Sequence, residues 1–116
     1  MNTPATFLRR DPAVVQPWAE TCGQIRPLIV AADGAAAEVH HVEIDHAKLH
    51  YHAKTDEVYY VIDGQGTMVL DDETIEVHRG VVVYVPRGVK HKAVGKLVVL
   101  TVCIPRGVME DIHELE

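Results

Sequence analysis

Two histidines two residues apart, His50 and His52, are followed five positions later by Glu57, and this trio has the residue types and spacing of a metal site. Side chains of a strand alternate faces, so His50 and His52 present two imidazoles to one side. The polar break Lys54-Thr55-Asp56 separates them from the apolar run Val58-Tyr59-Tyr60-Val61-Ile62. If that break turns the chain, Glu57 returns to face the histidines. Asp56 is the competing carboxylate. Glu57 is preferred because Tyr59 and Val61 share its parity and continue an inward row. Two nitrogens and an oxygen converging on one point suit a divalent transition metal. A fourth donor is offered by Gly80-x5-Pro86-x-Gly88-x2-His91. There a strand leads into a sharp Pro-x-Gly turn, and His91 comes back on the return strand. This hairpin is expected to face the first one across a barrel.

The elements that must position these residues read as short strands. Pro4, Pro12 and Pro17 break any period in residues 1–22, which form an apolar-weighted arm. Strands are expected at Ile25–Ala31, Glu38–Asp45, Leu49–Ala53, Glu57–Ile62, Thr67–Leu70, Thr74–His78, Val81–Val85, Lys90–Val94 and Lys96–Ile104. Pro27 demotes the first of these to an edge or a strand start. Ala32–Ala35, Asp63-Gly64-Gln65-Gly66 and Asp71-Asp72-Glu73 read as turns. The tail 107–116 reads equally as a short helix or a strand. No stretch holds the three-and-four spacing of a helix, so the fold class is all-β, a sandwich or barrel built over 23–106. Val81–Val85 and Leu97–Leu100 are apolar on both faces, whereas a small antiparallel barrel leaves one face wet. The outer face is therefore expected to be covered by the arm or by a second copy, a symmetric homodimer being the commonest solution.

Composition narrows the function classes. The 116 residues predict one domain, and 47% hydrophobic content supplies an ordinary core without staples. A net charge of −6 with no basic cluster speaks against nucleic-acid and anionic-membrane partners. No apolar run approaches a bilayer span. Nothing resembles a secretory signal, so the expectation is a cytoplasmic protein. The two cysteines, Cys22 and Cys103, are far apart and are read as reduced thiols. Histidine is the unusual residue: His40, His41, His46, His50 and His52 are five of the eight in the chain.

With these residues in view, the chain resembles the cupins. Their first motif, Gly-x5-His-x-His-x3,4-Glu-x6-Gly, is matched by His50-x-His52-x4-Glu57-x6-Gly64. Their second, Gly-x5-Pro-x-Gly-x2-His-x3-Asn, is matched by Gly80-x5-Pro86-x-Gly88-x2-His91-x3-Gly95. Ile44 stands where the first motif opens on glycine, and Gly95 stands where the second closes on asparagine. The resemblance implies a double-stranded β-helix, or jelly-roll barrel, with one divalent metal held by His50, His52, Glu57 and His91. Four protein ligands leave two open positions on an octahedral ion. A catalytic zinc usually takes three protein ligands, so iron, manganese or nickel is preferred and zinc is the alternative.

Other candidates are weighed against bland roles. His46 shares the parity of His50 and His52 and is a candidate proton shuttle, against a solvated histidine near a turn. His40 and His41 point to opposite faces, so at most one faces in, while His78 and His113 read as surface residues. Tyr59 either lines the pocket and bonds a substrate or is a barrel aromatic with its hydroxyl at the rim. Arg26 reads as a surface arginine before it reads as a carboxylate clamp, and Cys103 as a small buried hydrophobe. For a catalytic role Glu57, Tyr59 and His46 are the candidates. The resemblance implies a metal-dependent enzyme acting on a small oxygenated molecule, by dioxygenase chemistry or by isomerisation or lyase chemistry on a sugar-like acid. The alternative is a non-enzymatic barrel that binds or senses a metal or small ligand. A barrel whose metal serves stability alone ranks last, since a chain this size folds without one.

Overall fold

Strand β5 runs from Asp56 to Leu70 and belongs to two sheets at once. The computed structural model describes residues 7–21, 23–45 and 47–116. Cys22, His46 and the start of the N-terminal arm lie outside the described residues. Among the described residues the other strands are β1 (Trp18–Glu20), β2 (Gly23–Ile29), β3 (Glu38–Ile44), β4 (His50–Tyr51), β6 (Glu73–His78), β7 (Val82–Val85), β8 (His91–Val94), β9 (Leu97–Ile104) and β10 (His113–Glu114). The fold is all-β, as the pattern predicts. Every pairing is antiparallel.

The first half of β5 pairs with β7 and β9, which extend through β3 and β2 to β1. Its second half pairs with β6 and β8, which extend through β4 to β10. Inward rows of the first sheet, among them Val42, Tyr59, Val61, Val85 and Val99, meet Met68, Val77 and Ala93 of the second in one core. The alternation is clean on β9: Leu97, Val99, Thr101 and Cys103 are buried, and the residues between them are not. A side chain such as Val99, 1% exposed, contributes about 1.5–3 kcal/mol by leaving water.

Asp63-Gly64-Gln65-Gly66 is not a turn. It is the middle of β5, where a bulge between Val61 and Asp63 bends the strand from one sheet into the other. The glycines serve close approach: a Cβ on Gly64 would strike the carbonyl of Lys96, and one on Gly66 the carbonyl of Val94. The hairpin at Asp71-Asp72 is present, with Asp71 at a φ of 53°. Pro27 stands beyond the reach of β1, whose pairing ends at Ile25, so at this position β2 is paired on one side only, as its proline suggested. The tail is both things expected of it: a single 3-10 turn at Val108–Glu110, then β10 paired with β4.

The described part of the arm does not cover the outer face of the first sheet. Arg10 ties it to the other flank, bonding the Leu28 carbonyl at 2.7 Å and pairing with Asp33. Val82 and Tyr84 stay 62% and 58% exposed, beside Tyr60, Ile62 and Ile104. No helix among the described residues is long and apolar enough to cross a membrane.

Candidate metal centre

His50, His52, Glu57 and His91 each direct one donor atom to a common point, with all four atoms within 4.8 Å of one another and all four residues buried. His50 is in β4 and His91 in β8, directly opposite each other in the ladder. His91 therefore reaches the cluster from the neighbouring strand, not across the barrel as the hairpin pattern suggested. The facing comes from Glu57, which projects from the β7–β9 half of β5. The site thus closes the gap between the sheets.

Local turns hold these positions. The Gly88 N–H donates to the His52 carbonyl at 2.7 Å, so the Pro86–Gly88 turn that delivers His91 docks on the His52 strand end. Asp56, the rejected carboxylate, pins the same turn from outside: it accepts the Arg87 backbone N–H at 2.9 Å and pairs with the Arg87 guanidinium. The bond to Arg87 lowers the pKa of the half-buried Asp56 carboxyl to about 2.

The back of each imidazole is fixed by the main chain. His50 Nδ1–H donates to Lys48 O at 2.8 Å, His52 Nδ1–H to Asp111 O at 2.9 Å, and His91 Nδ1–H to Val89 O at 2.9 Å. This selects the tautomer whose Nε2 lone pair faces inward, the arrangement metal-ligating histidines show. His52 Nε2 and His91 Nε2 lie 3.1 and 3.2 Å from Glu57 Oε1. A neutral imidazole whose Nδ1 proton is spent would aim a lone pair at a carboxylate there. Only a proton or a cation between them makes the contact attractive, so the donor set fits a divalent ion.

The electrostatics agree. Burial alone would push the Glu57 carboxyl up, but its contacts with His52 and His91 hold it well below the usual range. Burial opposes charge on His52 too, yet its contact with Glu57 leaves its pKa raised. His50 is pushed down to about 4, by burial first and by the neighbouring His91 second.

His50, His52, Glu57 and Tyr59 line a cavity of about 40 Å³ whose other walls are mainly Ile25, Val42, Ile44, Val108, Met109 and Ile112. Tyr59 is 1% exposed, its ring centroid 5.8 Å from that of His91 in a T-shaped arrangement, so it is a pocket residue and not a rim aromatic. Cys103 is buried as expected, and its thiol points at Glu57 Oε2 at 3.5 Å. Arg26 pairs with Glu43 at 2.6 Å, away from the cavity. His41 stands on the outward parity of β3 and His40 faces in; His46 lies outside the described residues. His113 is exposed, as expected of a surface residue; it stacks on Tyr51 at 4.8 Å and lies 3.1 Å from Asp111 Oδ1.

Two further contributors come from far along the chain. Asp111, 6% exposed, offers its carbonyl to His52 while its carboxylate accepts the N–H groups of Ala53 and Lys54. His40 brings a further buried imidazole to the cavity wall, with the buried Glu38 carboxylate 3.3 Å from its Nε2. A single acidic residue in the tail carries no spacing signal that links it to position 52.

Residues 38–103, more than half of the chain, match the family described as Cupin domain. The chain is a member of the cupin-domain family. It is 43% identical over 44 residues to an uncharacterized protein of Methanocaldococcus jannaschii, covering 38% of this chain and 35% of that one. It is 54% identical over 37 residues to an uncharacterized protein of Streptomyces coelicolor, covering 32% and 35%. The chain thus spans about a third of the length of either curated relative. Among solved structures, a protein from Planctomyces limnophilus superposes with a TM-score of 0.88 at 22% identity, over 94% of this chain and 97% of that one. The nucleoside dehydratase Pac13 gives 0.78 at 17%, over 96% and 92%. Ectoine synthase from P. lautus gives 0.78 at 17%, over 95% and 91%. At these identities the likeness shows the shared fold, and several proteins that share it are enzymes.

Proposed function

We propose that this cupin is a mononuclear metal enzyme acting on a small oxygenated molecule, by dioxygenase chemistry or by isomerase or lyase chemistry on a sugar-like acid. The observation that carries it is the cluster of three backbone-oriented imidazoles and one carboxylate at the wall of an apolar cavity. A closed structural site would have no such space beside it. A divalent ion held by His50, His52, Glu57 and His91 supplies Lewis acidity toward a chelating oxygen group or a binding place for dioxygen. Iron, manganese or nickel fits four protein ligands with open positions better than zinc does. The chain's own part is to hold Glu57 ionised, to keep water scarce with Ile25, Val42 and Ile44, and to place Tyr59 within reach of what enters. That structural neighbours include a nucleoside dehydratase and an ectoine synthase supports an enzyme over a passive barrel.

The test is the metal content of protein made without added metal or histidine tag, beside His52→Ala. About one equivalent of iron, manganese or nickel per chain, lost in the folded variant, is expected, and oxygen uptake with chelating substrates is then measured. One equivalent of zinc would move the assignment to isomerase or hydrolytic chemistry. No metal in either protein would leave the non-enzymatic ligand-binding barrel. The apolar outer face at Tyr60, Val82 and Tyr84 is read as the surface for a second copy. Sedimentation should give twice the chain mass, reduced to one in Tyr84→Lys; a monomeric parent protein would overturn the pairing.

A further inference from the structure

His40 is 3% exposed and lines the same cavity as the metal cluster, from β3, two strands away from Glu57. Neither of its ring nitrogens has a hydrogen-bond partner among the described residues. Nε2 lies 3.3 Å from Glu38 Oε1, close but off the direction of a hydrogen bond. An imidazole buried with nothing bonded to it loses its water without replacement, which costs about 1–3 kcal/mol per group. Such a cost in a cavity wall has a ready explanation when a bound molecule completes the bonding.

Glu38 says which nitrogen is available. Its Oε2 accepts the backbone N–H groups of Gly107 and Val108, the latter at 2.9 Å, so the carboxylate is anchored in place. Its Oε1 faces His40 Nε2. A lone pair on Nε2 would repel that oxygen, so the stable neutral tautomer carries its proton on Nε2. Burial holds the ring below its ordinary pKa, which keeps it neutral at pH 7. Nδ1 is then a bare acceptor.

We propose that His40 is a ligand-binding residue: through Nδ1 it accepts a hydrogen bond from a hydroxyl of the molecule that fills the cavity, with Glu38 as the positioning residue that fixes its tautomer. The inference deepens the proposed function and rests on the cavity being a ligand site. It names the substrate class more closely. One end carries an oxygen group for the metal, the other a hydroxyl, and the body between them is small and apolar to match Val42, Ile44 and Val108. At about 40 Å³ the space takes only a few heavy atoms, roughly one per 10–15 Å³. His40 and Met109 also border an outer cleft of about 320 Å³, so a swing of the flexible Met109 side chain would enlarge the space at the His40 end.

The test uses zinc-loaded protein and a series of acids, glycolate to 5-hydroxypentanoate, each beside its parent acid without the hydroxyl. Calorimetry on the parent protein and on His40→Phe gives the comparison. The expected result is that at least one hydroxy acid binds about tenfold more weakly to His40→Phe while its parent acid is unaffected, the size of one lost hydrogen bond to a buried group. Should both acids bind both proteins alike, His40 has no such role and the proposal is overturned with the metal reading intact. Should no acid bind the loaded parent protein, the ligand reading falls and takes the proposal with it. A measurement free of variants guards against misfolding: the ¹⁵N resonance of His40 Nδ1 should move on adding the hydroxy acid and not the parent acid. Bound acid with an unmoved resonance overturns the proposal. In Glu38→Gln the tautomer preference seen in that spectrum should weaken, which a purely structural glutamate would not cause.

Discussion

Glu38 and Glu57 are buried at the same level of the barrel, each register-paired with Cys103 from opposite sides of β9, yet they serve different ends. Glu38 spends one oxygen on two backbone N–H groups of the tail. Its charge is neutralised by fixed dipoles, and the imidazole beside it is left with both nitrogens unbonded. Glu57 faces the Nε2 atoms of two imidazoles whose other nitrogens are already committed to carbonyls. Its surroundings ask for a cation. Two carboxylate–histidine groupings, one with a single imidazole and one with several, thus differ in which nitrogen the main chain has claimed. Claimed Nδ1 atoms make a metal centre; an unclaimed one makes a contact for a ligand.

Charge removal should separate the two glutamates most sharply. Glu57→Gln is expected to weaken metal binding by more than about 100-fold, beyond the loss usual for groups behind a ligand. Glu38→Gln should leave the metal stoichiometry unchanged and lower stability by roughly 1–3 kcal/mol in a denaturant titration. Equal metal loss in both would erase the contrast. Proton competition comes next. The raised pKa of His52 means that metal must displace a proton as pH falls below it, whereas His50, at about 4, stays neutral down to that value. Metal affinity should therefore fall about tenfold or more per pH unit between pH 6 and 5, at least one proton per ion. A hundredfold fall would show two rings titrating. A smaller effect is expected at the carbonyl support: Asp111→Ala frees the Ala53 and Lys54 N–H groups and should weaken metal binding about tenfold, with a competition titration as the readout. Least of all should Cys103→Ala matter. Burial pushes its thiol far above the ordinary value. It should resist iodoacetamide in the folded protein, and its loss should cost ~1 kcal/mol and leave the metal in place.

The cluster was legible because its members announce themselves over short distances: His50 and His52 by strand parity, His91 by the Pro86–Gly88 turn. Glu57 over Asp56 followed from the inward row through Tyr59 and Val61. The Glu38–His40 grouping was not, since what distinguishes it is the anchoring of Glu38 by Gly107 and Val108, some 70 positions away. His40 and His41 differ in sequence only by parity, and nothing local says which points inward. Asp63–Gly66 misled because the composition that favours a turn equally suits a strand crossing close to another backbone. Asp111 sits in a tail with no periodic pattern, and its link to His52 exists only once β10 has paired with β4.

A strand shared by two sheets also makes the protein mechanically indivisible. Neither sheet can peel away alone, because β5 is the seam of both and the cluster is laced across it. Hydrogen exchange along β5 should therefore report one opening event, from Glu57 through Met68, and not two. An ion seated at the seam would lock both halves together, so its release and the opening of the barrel become one event.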